Sequence, residues 1–126
     1  MPFVSASLID WGSLEKEGYC YLTTLGRVTG RPHEIEIWFA LKEKVAYLLS
    51  GGGLESDWVK NLRANPQVNL RIGTHRFQGN AYTVSHGEEE MIARRLLAAK
   101  YYGWRQGDQL NHWARTALPV VITLSV

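Results

Sequence analysis

Two glycine-rich segments of the chain carry residues that are suited to hold a phosphorylated ligand. The first covers residues 26–32 and contains Arg27 and Arg31. Its glycines let the main chain approach a ligand closely, and arginine supplies forked donors that suit phosphate. On composition alone, an ordinary hairpin turn with solvated charges is the somewhat better explanation of the same residues, and both interpretations stay open.

The second segment, residues 50–53, contains three consecutive glycines and leads into a helix that starts near Asp57. Main-chain amides beside a helix N-terminus bind anionic or carbonyl oxygens well. A flexible loop without a ligand is the alternative. Together, the two segments offer a basic turn for a phosphate and a donor-rich loop, which are what the phosphate and the ring of a flavin need.

Other kinds of catalytic site have little support in the sequence. The four histidines lack the spacing of metal ligands, so no metal site is predicted. The chain has no Gly-x-Ser-x-Gly elbow, no Walker-type loop and no Gly-x-Gly-x-x-Gly turn between a strand and a helix. Hydrolysis and metal catalysis are therefore disfavoured. The histidines are His33, His75, His86 and His112.

Length and composition fit one globular domain. The chain has 126 residues, of which 45% are hydrophobic and 21% are charged, which is ordinary for such a domain. We expect no membrane insertion, because no apolar run is long enough to cross a bilayer and no signal peptide is recognisable. The single cysteine, Cys20, is expected to be a buried thiol, and the cytoplasm follows as the default compartment.

A nucleic-acid-binding module is a minor alternative function. It would use five arginines with interleaved aromatic residues, and it predicts a steep loss of affinity with salt. The net charge of only +2 and the acidic stretch at residues 88–90 weigh against it, so no nucleic-acid partner is expected. The arginines are Arg27, Arg31, Arg63, Arg71 and Arg76.

Short strands joined by tight turns must position the two glycine-rich segments. The clearest strand covers residues 35–41, where apolar side chains alternate with others. Gly79 is expected to mark a bulge in a strand over residues 75–84. Several short strands with few helices favour a closed or partly closed antiparallel barrel. The other predicted strands cover residues 19–24, 45–50, 67–72 and 118–124.

Helices are predicted between some of these strands. Ser56 is expected to cap one that stops before Pro66, and the capping box Ser85-x-x-Glu88 to open a longer one through about Tyr101. Residues 106–116 are predicted to be irregular or a short helix. Residues 1–18 are expected to form a short N-terminal helix or an irregular segment.

The chain resembles the deazaflavin-dependent nitroreductase family in four blocks that occur in the same order, LTTLGRVTGRPHEIEIWF, LLSGGGLESDWVKNLRANPQVNLRIG, KYYGW and WARTALPVVITL. The resemblance covers residues 19–124. It implies a mainly β (α+β) fold, a six-stranded antiparallel split β-barrel related to pyridoxamine-phosphate oxidases, with two or three flanking helices in one domain over residues 1–126. By analogy with other split barrels, which commonly pair and share a cofactor cleft, a homodimer is expected.

The resemblance also implies a function. Family members use the deazaflavin coenzyme F-420 as a hydride carrier and reduce small molecules such as quinones, nitro compounds or enones, whereas related barrels often use FMN. The matching motifs place the cofactor phosphate against Arg27, Thr29 and Arg31, with His33 where the family often has a second basic residue. They place the pyrimidine edge of the ring against main-chain donors of Ser50, Gly51 and Gly52, and they put Trp58 and Asn61 at one side of the pocket.

Three aromatic residues fall where the family has substrate-side aromatics, namely Tyr101, Tyr102 and Trp104. A tyrosine hydroxyl, from Tyr101 or Tyr102, would hydrogen-bond the acceptor oxygen and help to protonate it. Packing at the end of a helix is an equally good interpretation of both tyrosines. The alternative function is an FMN- or haem-binding split barrel without turnover.

The sequence departs from the family pattern in three places. Val28 replaces a lysine that is common in the turn, the loop at residues 53–57 is acidic, and Glu36 is unusual beside a cofactor strand. Because the coenzyme carries a polyanionic glutamyl tail, the loss of basic residues weakens its binding. Each lost exposed contact costs only about 0.2–1 kcal/mol, so the departures do not exclude the deazaflavin. They do favour FMN more than an unaltered motif would, and FMN stays open as the alternative cofactor.

Overall fold

Seven antiparallel strands in one sheet form the framework of the computed structural model, which describes residues 8–126. The strands occur in the sheet in the order β2-β1-β5-β6-β7-β4-β3. They are β1 (Cys20–Leu25), β2 (Pro32–Ile37), β3 (Ala40–Lys42), β4 (Val45–Ser50), β5 (Gln67–Ile72), β6 (His75–Thr83) and β7 (Leu118–Ser125).

The two edge strands of this sheet, β2 and β3, follow one another in the chain and are separated only by Trp38 and Phe39. Two residues cannot bridge the width of a flat seven-stranded sheet, so the sheet curls until its edges approach. The edges do not pair with each other, and β3 pairs only with Val45 to Tyr47 of β4. The barrel is therefore split between β2 and residues 48–50 of β4.

The predicted split β-barrel is confirmed, with seven strands instead of six. The difference arises because the predicted strand over residues 35–41 is two strands. The hydroxyl of Tyr101 lies 3.0 Å from both the amide nitrogen and the carbonyl oxygen of Phe39. These contacts occupy main-chain groups that a continuous strand would use for pairing, and the chain turns a corner there.

Four helices accompany the sheet, where two or three were predicted. Asp10 caps the first, with its carboxylate accepting the Ser13 amide at 3.1 Å. The expected capping box at Ser85 does not form, because the third helix begins after Gly87 and Ser85 contacts His86 instead. Residues 1–7 of the predicted N-terminal segment lie outside the described residues. The helices are α1 (Trp11–Glu15), α2 (Asp57–Ala64), α3 (Glu88–Tyr102) and α4 (His112–Thr116), with a 3₁₀ turn at Gly53–Glu55.

The strands bury apolar side chains on two sides. Inside the barrel, Leu22, Leu48 and Ile122 pack with Leu62 of α2. On the outside, α3 and α4 pack over β3, β4 and β7 and bury a second cluster that includes Val121. The outward side chains of β2, β1, β5 and β6 stay exposed or half-buried. None of the helices in residues 8–126 has the length and apolar character needed to cross a membrane.

Gly79 does not form the predicted bulge. Its strand pairs without interruption, with Gly79 opposite Val68 on one side and Leu124 on the other. A Cβ atom at this position would lie 2.6 Å from Cγ2 of Ile122 and 3.1 Å from the carbonyl oxygen of Thr123. Glycine is needed here because the neighbouring strand approaches the main chain too closely for any side chain.

We predict that Gly79→Ala lowers the free energy of unfolding by about 1–3 kcal/mol, because the added methyl group overpacks the barrel interior. Urea unfolding measures this difference. Gly18→Ala is the matched control, since nothing lies within 4 Å of a Cβ there, and it should change stability by less than about 1 kcal/mol. Equal stability of the two variants would contradict the close approach.

Candidate functional site

The glycine-rich turn between β1 and β2 is tight and leaves main-chain donors free. Inside it, the Gly26 amide donates to the carbonyl of Arg31 at 2.7 Å and the Gly30 amide to that of Gly26 at 2.8 Å. Gly30 has a φ of +73°, which favours glycine. Among residues 8–126, the amides of Val28 and Thr29 have no hydrogen-bond partner, so both are available to an anion.

Asn61 and Arg27 fix this turn against helix α2. The buried Asn61 side chain accepts both the amide of Arg27, at 3.1 Å, and its Nη1, at 2.9 Å, and donates to Oγ1 of Thr24 at 3.2 Å. The Arg27 guanidinium also pairs with the exposed Asp57 carboxylate at 3.2 Å. Both terminal nitrogens of Arg27 thus have protein partners, which makes its guanidinium part of the wall of the site.

The basic-turn cleft opens where the turn meets α2 and has a volume of about 450 Å³. Five of the predicted cofactor residues line it, namely Arg27, Thr29, His33, Trp58 and Asn61. Arg31 does not line it, but it is exposed in the same turn. The remaining lining residues are Thr24, Gly26, Val28, Glu34, Ile35 and Asp57.

The glycine loop also lies beside the start of α2. The buried Ser50 donates its hydroxyl to the carbonyl of Gly53 at 3.0 Å and lies 2.9 Å from the hydroxyl of Ser56. The Ser50 side chain therefore closes its own loop, while Gly51 and Gly52 are exposed. Ser56 directly precedes α2, so the loop and the basic turn converge on the N-terminus of that helix. Ser50, Gly51 and Gly52 do not line the basic-turn cleft.

A second opening, the aromatic cleft, has a volume of about 400 Å³. The Trp38 ring lies edge-on to those of Trp113 and Tyr102, with centroids 5.5 and 6.1 Å away. Trp38 is 41% and Tyr102 54% exposed, which is high for large aromatic side chains and is typical of a surface that binds a ligand. The cleft is lined by Tyr19, Glu36, Ile37, Trp38, Leu49, Tyr102 and Trp113.

Tyr101 does not line the aromatic cleft. Its hydroxyl oxygen lies 3.0 Å from the Phe39 amide, which donates to it, and it has the carbonyl oxygens of Phe39 and Gly18 as acceptors at 3.0 and 2.9 Å. Burial raises the pKa of Tyr101 to about 12, so the hydroxyl keeps its proton. Of the two interpretations of Tyr101, this geometry favours packing. Its ring stacks on that of Trp38, with ring centroids 4.3 Å apart.

Two of the three predicted substrate-side aromatics, Tyr101 and Trp104, lie outside the aromatic cleft, and sequence reasoning did not name Trp38 and Trp113, which line it. Trp104, predicted on the substrate side, turns away and donates its indole N–H to the carbonyl of Asp108 at 2.9 Å. Trp38 and Trp113 take its place. One sequence signal could have identified Trp38. It falls on the same face of the predicted strand as Glu36, and a large apolar side chain on a polar face indicates contact with another side chain or a ligand.

Strand β2 connects the two clefts. His33, Glu34 and Ile35 line the basic-turn cleft, and Glu36 and Ile37 line the aromatic cleft. At about 3.3 Å per residue these positions extend over about 13 Å. The arrangement fits an elongated ligand with a phosphate near the free amides of the turn and a planar ring toward the aromatic side chains. Within residues 8–126, no group of His, Cys, Asp or Glu side chains is arranged to hold a metal ion.

Comparisons with known proteins identify the family and the fold. A family model described as F420H(2)-dependent quinone reductase matches residues 11–125. Among solved structures, the chain is similar to the conserved hypothetical protein Rv2991 from Mycobacterium tuberculosis, with 19% identity and a TM-score of 0.78 over 100% of this chain and 83% of that one.

Two further structures share the fold. An F420-H2 dependent reductase, FDR-A, has 19% identity and a TM-score of 0.62 over 86% of this chain and 94% of its own. The haem storage protein HutZ from Vibrio cholerae has 14% identity and a TM-score of 0.68 over 91% and 87%. At these identities, the structures bear on the fold alone.

We predict that Tyr101→Phe lowers the free energy of unfolding by about 1–3 kcal/mol, because the Phe39 amide loses its acceptor. Tyr102→Phe is the matched control. The Tyr102 hydroxyl has no partner in the described chain, so its loss should change stability by less than about 0.5 kcal/mol. Denaturant unfolding of both variants at neutral pH checks the difference.

The pH dependence of this difference has a defined sign. Burial raises the pKa of Tyr101 from the ordinary tyrosine value of 10.0 to about 12, so folding favours the protonated hydroxyl. Its contribution is complete below pH 10 and is lost as the pH rises toward 12. The stability gap between wild type and Tyr101→Phe should therefore narrow over that range, and a gap that widens would contradict the assignment.

Proposed function

The chain belongs to the F420H(2)-dependent quinone reductase family, and from this we propose that it reduces a quinone-like acceptor that binds in the aromatic cleft. Its cofactor is the deazaflavin coenzyme F-420, and the protein is an oxidoreductase. When bound, the coenzyme supplies a hydride to the acceptor. The chain itself binds and orients the two molecules and excludes water between them.

The basic-turn cleft is the proposed site of the coenzyme phosphate. The free amides of Val28 and Thr29 act as donors there, and Arg31 and His33 supply positive charge or further donors from the same hairpin. Arg27 and Asn61 act indirectly, because their mutual hydrogen bonds hold the turn open against α2. The exposed amides of Gly51 and Gly52, in the loop that leads into α2, are the proposed donors to the pyrimidine edge of the ring. Trp58 forms one side of the pocket.

The aromatic cleft is the proposed acceptor site. Trp38 and Trp113 offer faces and edges against which a planar ring packs, and burial of such a ring is favourable because it leaves water. Gly51 links the two sites, since a Cβ there would lie 3.9 Å from the Trp113 ring. The glycine loop therefore lies at the boundary between the proposed cofactor and acceptor positions.

Tyr102 is the proposed proton donor. It is the only one of the three predicted substrate-side aromatics that lines the cleft, and its hydroxyl is free to donate to an acceptor oxygen. A phenol at this position holds a proton beside the oxygen that gains negative charge during reduction. Tyr101 supports it indirectly through its stack with Trp38.

Three finer points extend the proposal. The aromatic lining suits nitroaromatic acceptors as well as quinones, since both present a flat ring with polar oxygens. The cytoplasm is the proposed compartment, in keeping with a single buried cysteine. A homodimer is the proposed assembly.

The observation that carries the proposal is the joint lining of two clefts by one strand, β2. The test is a titration of purified protein with coenzyme F-420, followed by the intrinsic fluorescence of the coenzyme, and then turnover of the reduced coenzyme with a soluble quinone such as menadione. We expect saturable binding and quinone-dependent oxidation. Tight binding of FMN or haem in parallel titrations, without binding of F-420, would contradict the proposal and favour a binding protein without turnover.

We predict that Tyr102→Phe lowers kcat for quinone reduction about 100-fold, the low end of the range for general acid catalysis. The affinity for coenzyme F-420 should stay within twofold, because Tyr102 lines the aromatic cleft and does not line the basic-turn cleft. Steady-state kinetics and the fluorescence titration separate the two effects. An unchanged kcat would exclude Tyr102 as the proton donor.

We predict that Val28→Lys tightens the binding of coenzyme F-420 by about 1.4- to 5-fold, which corresponds to one exposed ionic contact. Val28 is 88% exposed at the rim of the basic-turn cleft, and the glutamyl tail is anionic. High salt should remove the gain by screening. Thr123→Lys, on the exposed outer side of β7, is the control and should bind like wild type, so an equal gain in both variants would count against the placement of the tail.

A further inference from the structure

One carboxylate lines the aromatic cleft. Seven of the described residues line this cleft, and Glu36 is the only charged one among them. It is an exposed residue of β2. The basic-turn cleft differs, because Arg27 and His33 belong to its lining. A neutral quinone offers only acceptor oxygens to the Glu36 carboxylate, so this side chain indicates that the bound molecule also carries a group of another kind.

Glu36 is only weakly engaged by its own chain. Its Oε1 accepts the Tyr21 hydroxyl at 3.2 Å, which is long for a hydrogen bond between two oxygens. Within residues 8–126, Glu36 has no other side-chain hydrogen bond and no ion pair, so its Oε2 is left without a donor. The nearby Arg71 guanidinium lies over the Tyr21 ring at 4.1 Å and lines a separate groove. The carboxylate is therefore available to a cationic ligand.

The aromatic rings of the cleft are steeply inclined to one another. The planes of Trp38 and Trp113 differ by 87°, those of Trp38 and Tyr102 by 64°, and those of Tyr102 and Trp113 by 49°. Inclined rings surround a compact group from several directions, whereas parallel rings would only enclose a flat one. The face of each ring is partly negative and attracts a cation within about 6 Å of the ring centre. Rings and carboxylate thus favour positive charge in the same cleft.

We propose that the aromatic cleft selects acceptors that carry an organic cation, such as a quaternary ammonium group, beside their planar ring. The cation contacts the Glu36 carboxylate and the ring faces, and the planar ring packs against the remaining aromatic surface. The cleft volume of about 400 Å³ lies within the range of small-molecule sites. The same carboxylate disfavours anionic acceptors by repulsion.

This inference rests on the proposed function for the presence of an acceptor in the cleft. In the reaction, the planar ring of the acceptor takes up the hydride and one proton. The cationic group forms and breaks no bond, so it affects the binding of the acceptor and takes no part in the transfer.

A neutral hydrogen-bond donor is the alternative ligand group for Glu36. A hydroxyl or an amide would satisfy Oε2, but it would gain less from the ring faces than a full positive charge does. A quaternary ammonium group has no N–H to donate, so its binding measures the effect of charge alone. Three probes that share one phenyl ring separate these cases: the cation benzyltrimethylammonium, the neutral donor benzyl alcohol and the anion benzoate.

Calorimetric titration of the full chain with the three probes, without coenzyme or quinone, tests the inference. We expect benzyltrimethylammonium to bind about 3- to 30-fold more tightly than benzyl alcohol, as an exposed cation–π contact and an exposed ion pair together predict, and benzoate to bind most weakly. In NMR spectra of the titration, the indole N–H signals of Trp38 and Trp113 should shift and that of Trp58, which lines the basic-turn cleft, should not. Equal affinity for the cation and the alcohol would overturn the inference.

Charge removal at Glu36 is the second test. Glu36→Gln should lower the affinity for benzyltrimethylammonium about 3- to 5-fold, the upper part of the range for one exposed ionic contact, and added salt should have a similar effect on the wild type. Glu43→Gln is the matched control, because Glu43 is exposed in the turn between β3 and β4 and lines neither cleft. It should bind the cation like wild type. An unchanged affinity in Glu36→Gln, or an equal loss in both variants, would contradict the inference.

A kinetic comparison separates this inference from the proposed function. A naphthoquinone with a trimethylammonium substituent should have a KM about 3- to 30-fold below that of its neutral tert-butyl analogue, and Glu36→Gln should remove most of that difference. If both quinones are reduced with equal KM, the inference is wrong and the proposed function is supported. If neither quinone is reduced but benzyltrimethylammonium still binds between Trp38 and Trp113, the proposed function is wrong and the cation site is supported.

Discussion

The hydroxyl of Tyr101 binds both main-chain groups of Phe39 at the corner where the two edge strands of the sheet are joined. This corner keeps the edges close in space yet unpaired, because β2 ends before it and β3 begins after it. The slit between β2 and the second half of β4 follows from that geometry. Both clefts lie along β2, so their shape depends on a hydrogen bond made by a residue that lies in neither of them.

Neighbouring residues of α3 and α1 reinforce the same corner. The Lys100 ammonium lies 3.8 Å from the centre of the Phe39 ring and 3.6 Å from the Glu15 carboxylate, while Glu15 also accepts the amide of Leu41 at 2.6 Å. Burial lowers the pKa of Lys100, and the nearby Glu15 opposes that shift. Lys100 and Tyr101 are consecutive residues of α3, and both contact Phe39. The Lys100 cation is accepted in a largely buried position because the Phe39 ring and the Glu15 carboxylate lie beside it.

The sequence was sufficient to predict the barrel class and, apart from one division, the positions of the strands, because these depend on local alternation and on glycine-rich turns. It was not sufficient for the corner at Phe39. Residues 35–41 alternate without interruption, and only the distant Tyr101 hydroxyl divides them. The prediction of a bulge at Gly79 was wrong for a related reason. Glycine is required there because Ile122 of another strand lies too close for a side chain. In the same way, the two partners of Arg27 come from a helix about thirty residues away and leave no local signal.

The sequence has no recognisable catalytic motif because the coenzyme, and not the chain, supplies the hydride. Where a bound coenzyme supplies the hydride, the chain needs donors for a phosphate, a flat surface for an acceptor and one proton source, and each of these can be built from common residues. Main-chain amides of a turn carry no sequence signature beyond glycine, and tryptophans that line a cleft look like core residues until their exposure is known. The family pattern is therefore visible in whole blocks of sequence, whereas the cleft lined by Trp38, Tyr102 and Trp113 forms only once β2, α3 and α4 are brought together.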